Sequence, residues 1–302
     1  MNGVILIDKP KEFTSFDVIA VMRKLCKQKK AGHTGTLDPN ATGVLPVLLG
    51  CATKAQDLIE NHDKTYIADF KLGMTSDTLD IWGNVTENEK PHIVREKFEN
   101  TLENFVGEIE QIPPMFSAVQ INGQRLYDLA RKGIDVEREG RKVTVYNATL
   151  LDFDAENQSG QIEVSCSKGT YIRTIIDDIG KALGCGAVMS GLRRTKACGF
   201  SIDECITLEK AKELAENGTL ESRLISTERL FMNYEQILVS EAQAKRFKNG
   251  GALDIGRTAL KNRELVDGKR YRVKSRDGEF LGLGIVDLQN GAIKVLKLFP
   301  LS

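Results

Sequence analysis

The alternation of hydrophobic and polar positions predicts a mixture of strands and helices from the beginning of the chain. Residues 3–7, Gly-Val-Ile-Leu-Ile, form a short apolar run closed by Pro10, which indicates a buried strand that ends in a turn. Residues 14–26 then predict a helix, because Thr14 or Ser15 suits its N-cap and apolar side chains follow at helical spacing. Residues 65–72 alternate as a half-buried strand does, with Tyr66 at its entrance.

The same spacing rules predict elements of both kinds through most of the chain. From about residue 231 the pattern changes to short strands separated by Asp-Gly, Asn-Gly and Gly-Gly turns, which favours a small β barrel or sandwich. With 302 residues the chain can form one large domain with a small one, or two domains. The intervening predictions are an apolar segment at 44–49, helices at 53–61, 95–105 and 207–216, strands at 142–153 and 161–167, a helix from about residue 172, and a polar connection at 73–90.

Composition excludes few partners but favours a soluble protein of the cytoplasm. Lys and Arg number 42 and Asp and Glu also 42, so a nucleic-acid partner must meet a local basic surface. The six cysteines form no Cys-x-x-Cys pair, which argues against a disulfide framework or a zinc site. No apolar run is long enough to cross a bilayer.

Three groups of cations are candidates for such a basic surface. Each can also be an ordinary solvated face, and the first suits the dipole at the end of a helix. In the tail, the cations suggest contact with RNA phosphates. The groups are Arg23, Lys24, Lys27, Lys29 and Lys30; Arg125, Arg131, Lys132, Arg138 and Arg141; and Lys245, Arg246, Lys248, Lys269, Arg270, Arg272, Lys274 and Arg276.

Residues 31–46 hold the strongest candidate chemistry, in a stretch with three glycines, two prolines, a histidine and a single carboxylate. That carboxylate is Asp38, and Pro39 holds it extended because a residue before proline avoids the helical region. The glycines supply backbone freedom on either side. Such a loop suits a functional carboxylate, but Asp-Pro is also common at the start of an ordinary turn.

Arg173 is a second position that requires an explanation. It follows Ile172 in a predicted helix whose isoleucines recur at core spacing, but it lies off that apolar row and near the helix start. A cation at this end of a helix is unfavourable with the dipole unless an anion is near. We therefore expect an acidic partner for Arg173.

Several short motifs together resemble the TruB-type pseudouridine synthases, which isomerise uridine fifty-five in the T-loop of transfer RNA. They occur in the family's order along most of the chain. One departs from the usual Lys-Pro-x-Gly-x-Thr-Ser, because Glu12 stands where the family has glycine, which leaves the conformation of that turn open. The motifs are Lys9-Pro10 with Thr14-Ser15, Gly32-His33-Thr34-Gly35-Thr36-Leu37-Asp38-Pro39 with Ala41 and Gly43-Val44-Leu45-Pro46, Lys64-Thr65-Tyr66, Gly169-Thr170-Tyr171-Ile172-Arg173, and Leu192-Arg193-Arg194.

The resemblance implies an α/β chain of the mixed α+β kind with two domains. A pseudouridine synthase catalytic domain with a largely antiparallel sheet would cover residues 1–232, and a small PUA-like RNA-binding β domain would cover residues 233–302. The implied partner is the T-arm and elbow of tRNA, with no metal, no cofactor and no membrane. We expect the protein to act as a monomer.

The resemblance also assigns the chemistry to three side chains. It implies that Asp38 is the nucleophile and that Arg173 keeps the carboxylate ionised when a bound base excludes water. It implies that Tyr66 stacks on the target base and places its hydroxyl near C5, where a proton must finally be removed.

Four further positions are implied to bind the substrate or to support the site. Leu192 would pack on the other face of the base, and His33 would fill the place left by the extruded nucleotide. Asp80 and Lys9 match family positions near the cleft, as a hydrogen-bonding carboxylate and as a support for the loop.

Three other functions compete with this interpretation. A metal hydrolase lacks a second ligand at suitable spacing from Asp38, since the three histidines are dispersed. A phosphate-cradling nucleotide enzyme lacks the Walker pattern. A non-catalytic RNA-binding or tRNA-folding protein on the same scaffold is the stronger alternative, although binding alone does not require Asp38, Tyr66 and Arg173 together.

Overall fold

Two β-sheets dominate the computed structural model, which describes residues 1–121 and 123–299. Asn122 and residues 300–302, the latter at the end of the predicted β domain, lie outside the described residues. The strands are β1 (Gly3–Lys9), β2 (Ala31–His33), β3 (Thr42–Leu49), β4 (Lys64–Leu72), β5 (Met74–Ser76), β6 (Val85–Glu87), β7 (Gly107–Gln111), β8 (Gln120–Ile121), β9 (Gln124–Arg125), β10 (Arg141–Asp154), β11 (Ser159–Cys166), β12 (Ala187–Ala197), β13 (Phe200–Ser201), β14 (Ile206–Thr207), β15 (Gln236–Val239), β16 (Leu253–Asp254), β17 (Arg270–Ser275), β18 (Phe280–Asp287) and β19 (Ala292–Leu298). The α-helices are α1 (Ser15–Leu25), α2 (Arg95–Glu103), α3 (Leu126–Ala130), α4 (Ile172–Leu183), α5 (Leu208–Glu216) and α6 (Glu241–Lys248). Short 3-10 helices cover Gly50–Leu58, Ile202–Glu204, Leu220–Arg223, Thr227–Phe231 and Ile255–Arg257.

The ten-stranded sheet carries the first two thirds of the chain. Its main order is β14-β1-β3-β12-β4-β11-β10-β7, with β2 paired to β3 and β13 paired to β12. The β1–β14 and β3–β12 pairs are parallel, and the other pairs are antiparallel. The predicted mixed fold with a largely antiparallel sheet is therefore confirmed.

The apolar run near the beginning of the chain is buried on both of its faces. Val4 and Leu6 of β1 pack in one apolar cluster, whereas Ile5 and Ile7 pack in another, because successive side chains of a strand point to opposite faces. Helices α1 and α5 cover the second of these faces, and α2 and α4 cover the other half of the sheet. Helix α1 begins after Thr14, whose side chain caps it as predicted. No helix in the described part of the chain is long and apolar enough to span a bilayer.

The segment predicted as a helix at 53–61 is instead a 3-10 helix over Gly50–Leu58. Its inward side chains, Ala52, Ala55 and Leu58, recur every three residues, which is the period of a 3-10 turn rather than of an α-helix. The other predicted elements are present with slightly different ends. They are the strands at 3–7, 65–72, 142–153 and 161–167, and the helices at 14–26, 95–105, 207–216 and from residue 172.

The loop within residues 31–46 is shorter than predicted. Both ends of this stretch are strands, β2 and β3, which pair with each other and leave only residues 34–41 as a loop. Gly43, at the start of β3, permits a different pairing, that of β3 with β12. Its φ is +107°, and a Cβ there would lie 2.2 Å from the carbonyl oxygen of Arg194 on β12, so a larger residue would separate the two strands. The polar connection at 73–90 likewise contains a hairpin of β5 and β6.

The five-stranded sheet near the end of the chain has the order β15-β17-β18-β19-β16, which confirms the predicted small C-terminal β domain. It shares an apolar cluster with the ten-stranded sheet. In this cluster the ring of Phe231 lies 6.2 Å from that of Phe280 and 5.4 Å from that of Phe299. The boundary between residues 1–232 and 233–302 stays a prediction.

We expect Phe231→Ala to lower the free energy of unfolding by about 3–5 kcal/mol, because the change leaves a cavity between the two sheets. Denaturant unfolding followed by circular dichroism measures this loss. Leu238→Ala is the control, since Leu238 is 50% exposed and its truncation should cost no more than about 0.5 kcal/mol. Equal effects of the two changes would contradict the packing described here.

Candidate active site

Asp38 lies at the first position of a tight turn between β2 and β3. The Ala41 N–H donates to the Asp38 carbonyl at 3.1 Å, and Pro39 occupies the second position of the turn. Ser15, at the start of α1, fixes the preceding residue because its Oγ accepts the Leu37 N–H at 2.9 Å. Leu37 is buried, whereas the Asp38 side chain is 43% exposed. The segment is thus an ordinary turn that presents a carboxylate to solvent.

Lys9 joins this loop to the turn that follows β1. It is fully buried, and its ammonium donates hydrogen bonds to the carbonyl oxygens of Pro10, Phe13 and Pro39. The three N–H donors of the ammonium therefore each have an acceptor. Burial lowers the pKa of Lys9 to about 8, and the negative charge of Asp38 acts in the opposite direction. Lys9 thus holds the residue next to Asp38.

Arg194, a second buried cation, fixes both ends of the same loop. Its guanidinium donates to the carbonyl oxygens of Gly35 at 3.1 Å, Thr36 at 3.3 Å and Val44 at 2.8 Å. Arg194 belongs to the Leu192-Arg193-Arg194 motif, but its role was not predicted, because nothing local to position 194 indicates carbonyl partners more than a hundred residues earlier. All three acceptors are backbone atoms, so Arg194 determines the shape of the loop.

Arg173 faces Asp38 from the first turn of α4. Its Nη2 lies 3.0 Å from Asp38 Oδ2, and its Nη1 lies 3.8 Å from Asp80 Oδ2. The guanidinium also donates to the carbonyl oxygens of Thr78 and Phe116, both at 3.0 Å. The Arg173 side chain is only 6% exposed, so water screens these interactions weakly. The anion expected beside this helix start is therefore Asp38.

Asp80 is positioned by the loop between β5 and β6. Its Oδ1 accepts hydrogen bonds from the Thr78 hydroxyl at 2.6 Å and from the Trp82 N–H at 3.1 Å. This leaves Oδ2 for the guanidinium. The loop is attached to β12, since the Ile81 N–H donates to the Met189 carbonyl at 3.0 Å. Asp80 is thus a fixed second carboxylate on the far side of the guanidinium.

Tyr66 lies on β4 in the same apolar cluster as Leu37. Burial raises the pKa of its hydroxyl to about 12, and the charge of Arg194 partly opposes this rise. The charge of Asp38 adds to the effect of burial, and Leu37, the neighbour of Asp38 in the chain, packs in the same cluster as the phenol. Tyr66 therefore keeps its proton at neutral pH.

His33 and Leu192 lie at the flanks of this group. The ring of His33, at the end of β2, contacts that of Phe16 edge-on, with centroids 5.4 Å apart. Burial and the charge of Arg194 lower the pKa of His33, so its imidazole is neutral at pH 7. Leu192, on β12, lies opposite Ala68 of β4. It packs against the apolar cluster that contains Tyr66.

The assembled group is an exposed carboxylate beside a buried guanidinium, with a protonated phenol near them. Such a carboxylate can attack an electrophilic carbon and leave again, while the guanidinium stabilises its charge. Within residues 1–121 and 123–299, no group of three or more His, Cys, Asp or Glu side chains could hold a metal ion.

The sequence matches known proteins along most of its length. Residues 23–172 match the model of the TruB family pseudouridylate synthase N-terminal domain, and residues 173–238 match that of the tRNA pseudouridylate synthase B C-terminal domain. The chain is 45% identical to tRNA pseudouridine synthase B of Clostridium perfringens strain 13 over 285 residues, which cover 94% of this chain and 95% of that protein. The chain belongs to the TruB family of pseudouridylate synthases. The TruB protein of Clostridium tetani, also named tRNA pseudouridine synthase B, is 45% identical over 306 residues and 99% of each chain.

Solved structures extend the similarity beyond the TruB domain models, which end at residue 238. A chain from the crystal structure of a Cbf5-Nop10-Gar1 complex gives a TM-score of 0.74 at 28% identity, over 99% of this chain and 85% of that one. A chain from the structure of an H/ACA RNP bound to a substrate RNA gives a TM-score of 0.73 at 25% identity, again over 99% of this chain and 85% of that one. The predicted TruB resemblance is therefore confirmed for the fold as a whole.

The one departure from the TruB pattern leaves the turn in place. Glu12, where the family has glycine, adopts a φ of +65° in the left-handed region. Glycine takes this conformation without steric cost, whereas another residue pays about 1–2 kcal/mol. The turn persists because the Lys9 ammonium binds the carbonyls of Pro10 and Phe13 on either side of it.

We expect Glu12→Gly to raise the free energy of unfolding by about 0.5–1 kcal/mol, because relief of the strain exceeds the added entropy of the unfolded chain. Denaturant unfolding measures this gain. Glu12→Ala removes the carboxylate but keeps the Cβ, so it should give no such gain. If both variants were stabilised equally, backbone strain at position 12 would not be the cause.

Proposed function

We propose that this protein isomerises uridine to pseudouridine at position fifty-five in the T-loop of tRNA, with Asp38 as the nucleophile. The observation that carries the proposal is the 3.0 Å ion pair between the exposed Asp38 carboxylate and the buried Arg173 guanidinium. Membership of the TruB family and the names of the relatives, tRNA pseudouridine synthase B, support the reaction and the class of substrate.

The reaction detaches the base from the ribose at N1, turns it, and joins it again through C5 to the same ribose carbon. No atom is gained or lost, so the chemistry requires a group that acts and then leaves unchanged. A carboxylate can bond to the sugar or the base, or assist removal of a ribose proton, and each route returns it to its starting state. In the protein, Asp38 combines the needed negative charge with access to solvent.

Arg173 orients this carboxylate through their 3.0 Å contact. Its other acceptors are the carbonyls of Thr78 and Phe116 and the Asp80 carboxylate, so the guanidinium is held on several sides. A bound base excludes water from Asp38, and the attraction between the two charges then strengthens because the local dielectric falls.

Tyr66 suits stacking and hydrogen bonding better than strong base catalysis. Its pKa of about 12 means that the phenol holds its proton throughout the physiological range. We therefore assign Tyr66 to the face of the target base, with its hydroxyl near C5. Leu192 is assigned to the other face, since it packs against the same apolar cluster.

The target nucleotide must leave its stack before Asp38 can reach it, at a cost of a few kcal/mol. Stacking on an aromatic ring returns about 1–3 kcal/mol per base. We assign His33 to the position that the nucleotide vacates. Its neutral imidazole, held edge-on by Phe16, can enter an RNA stack without carrying a buried charge.

A single copy of the chain supplies Asp38, Arg173, Asp80, Lys9 and Tyr66, so the proposed reaction requires no second subunit. We accordingly propose that the protein acts as a monomer on the T-arm and elbow of tRNA. Its proposed substrate places it in the cytoplasm.

Residues 233–302 are proposed to bind RNA phosphates, but most of their cations already have partners. Of the eight tail cations, five form ion pairs with carboxylates. Arg272, for example, is buried and lies 2.7 Å from Glu228. Lys245 and Arg276 are exposed and are the better candidates for phosphate contact.

We expect Asp38→Asn to reduce turnover by about 10³-fold or more, because the amide is neutral and cannot act as the nucleophile. The measurement is tritium release from a T-arm stem-loop labelled at C5 of the target uridine. Binding of the RNA should persist, and the exposed Asp57→Asn control should retain both activities. Release by Asp38→Asn at the wild-type rate would exclude the proposed nucleophile, and no release by the wild type would favour the binding-only alternative.

We expect the double variant Lys245→Gln, Arg276→Gln to make the plot of log affinity against log salt shallower. The magnitude of its negative slope should fall by about 1–2, since each lost phosphate contact reduces that magnitude by about 0.7–0.9. Filter binding at several salt concentrations gives this slope. Substitution is preferable to deletion of the tail, which would expose the apolar cluster around Phe231. Lys210→Gln on α5 is the control, and an unchanged slope in the double variant would contradict phosphate binding at Lys245 and Arg276.

A further inference from the structure

Lys11 and Trp82 form a cation–aromatic pair on the surface, although they are far apart in the chain. The Lys11 Nζ lies 5.5 Å from the centroid of the Trp82 ring. Both residues are exposed, and Trp82, the only tryptophan in the sequence, retains 36% of its accessible surface. The TruB resemblance assigns neither of them a role. In such an exposed pair, the face of the indole opposite the ammonium is available for a ligand.

The Lys11 side of the pair is fixed relative to Asp38. Lys11 belongs to the turn whose carbonyls, from Pro10 and Phe13, bind the Lys9 ammonium. The same ammonium binds the carbonyl of Pro39, the residue that follows Asp38. A single buried cation therefore connects the turn of Lys11 to the proposed nucleophile.

The Trp82 side is fixed relative to Asp38 by an independent route. The Trp82 N–H donates to Asp80 Oδ1 at 3.1 Å, and Asp80 Oδ2 faces the Arg173 guanidinium at 3.8 Å. That guanidinium contacts Asp38 at 3.0 Å. Two different segments, each attached to the Asp38 site, thus meet at the Lys11–Trp82 pair and place it at the rim of the site.

We propose that Lys11 and Trp82 bind a nucleotide next to the extruded uridine, with a base stacked on the indole and a backbone phosphate paired with the ammonium. Stacking rings combined with cations are the usual means by which proteins hold unpaired RNA without reading its sequence. A cation over a ring at an exposed site is held weakly, so a phosphate can attract the ammonium without a large loss. The proposal rests on the proposed function, because it requires an RNA whose target base has left the stack.

The single tryptophan makes the proposal directly measurable. A T-arm stem-loop is titrated into Asp38→Asn, which binds without turnover, while indole emission and its quenching by acrylamide are recorded. Stacking should change the emission with the same midpoint as filter binding and should protect the indole from acrylamide. If filter binding saturates while emission and acrylamide quenching remain those of the free protein, the indole does not contact the RNA and the proposal is wrong.

Substitutions separate stacking from charge. Trp82→Ala should raise KM about 5- to 150-fold, the range that corresponds to loss of one stacked base, with a smaller effect on kcat. Trp82→Phe keeps a ring and should recover most of this loss. Lys11→Gln should reduce the magnitude of the slope of log affinity against log salt by about 0.7–0.9, whereas Lys11→Arg should leave that slope unchanged.

The outcomes distinguish this proposal from the proposed function itself. If the wild type forms no pseudouridine, the proposed function fails whatever the tryptophan does. If the wild type is active and Trp82→Ala keeps the wild-type KM and thermal midpoint, only the proposal for Lys11 and Trp82 fails. A lowered thermal midpoint in Trp82→Ala with an unchanged emission titration of Asp38→Asn would assign Trp82 a purely structural role, which also overturns the proposal.

Discussion

The ion pair between Asp38 and Arg173 is the contact around which the site is arranged. Arg173 reaches it because α4 begins at the end of β11, beside the loop that joins β2 to β3. The carbonyls of Thr78 and Phe116 hold the guanidinium from other directions, and Asp80 supplies a second negative charge. The cation is therefore the fixed, buried partner, and the carboxylate is the exposed one. A shift of any of these segments would change the distance between the two charges.

The loop that carries Asp38 is shaped chiefly by bonds to its backbone. Lys9 binds the Pro39 carbonyl, Arg194 binds carbonyls at both ends of the loop, and Ser15 binds the N–H of Leu37. These donors place the main chain without depending on which side chains the loop carries. The cost is two cations removed from water, which for Lys9 is seen as a lowered pKa.

Local periodicity predicted those elements whose burial follows one simple repeat, such as the isoleucine row of α4 and the alternation of β4. It was wrong for Gly50–Leu58, where inward side chains repeat every three residues. Local chemistry singled out Asp38 and Arg173, whereas the other site residues came from the family resemblance. The roles of all of them remain predictions. Contacts between distant segments, such as Arg194 with the Asp38 loop or Arg272 with Glu228, were not predictable, because spacing along a chain does not state which carbonyl or carboxylate a cation meets.

The apolar cluster shared by the two sheets has a consequence for synthesis of the protein. Val4 and Leu6 pack in the same cluster as Phe299, which the ribosome adds to the chain long after them. At about 5–20 residues per second, a ribosome takes many seconds to supply that last aromatic ring. Throughout this interval the face of β1 that carries Val4 and Leu6 lacks part of its native cover, so collapsed segments of the emerging polypeptide, or a chaperone, must shield it until Phe299 is added.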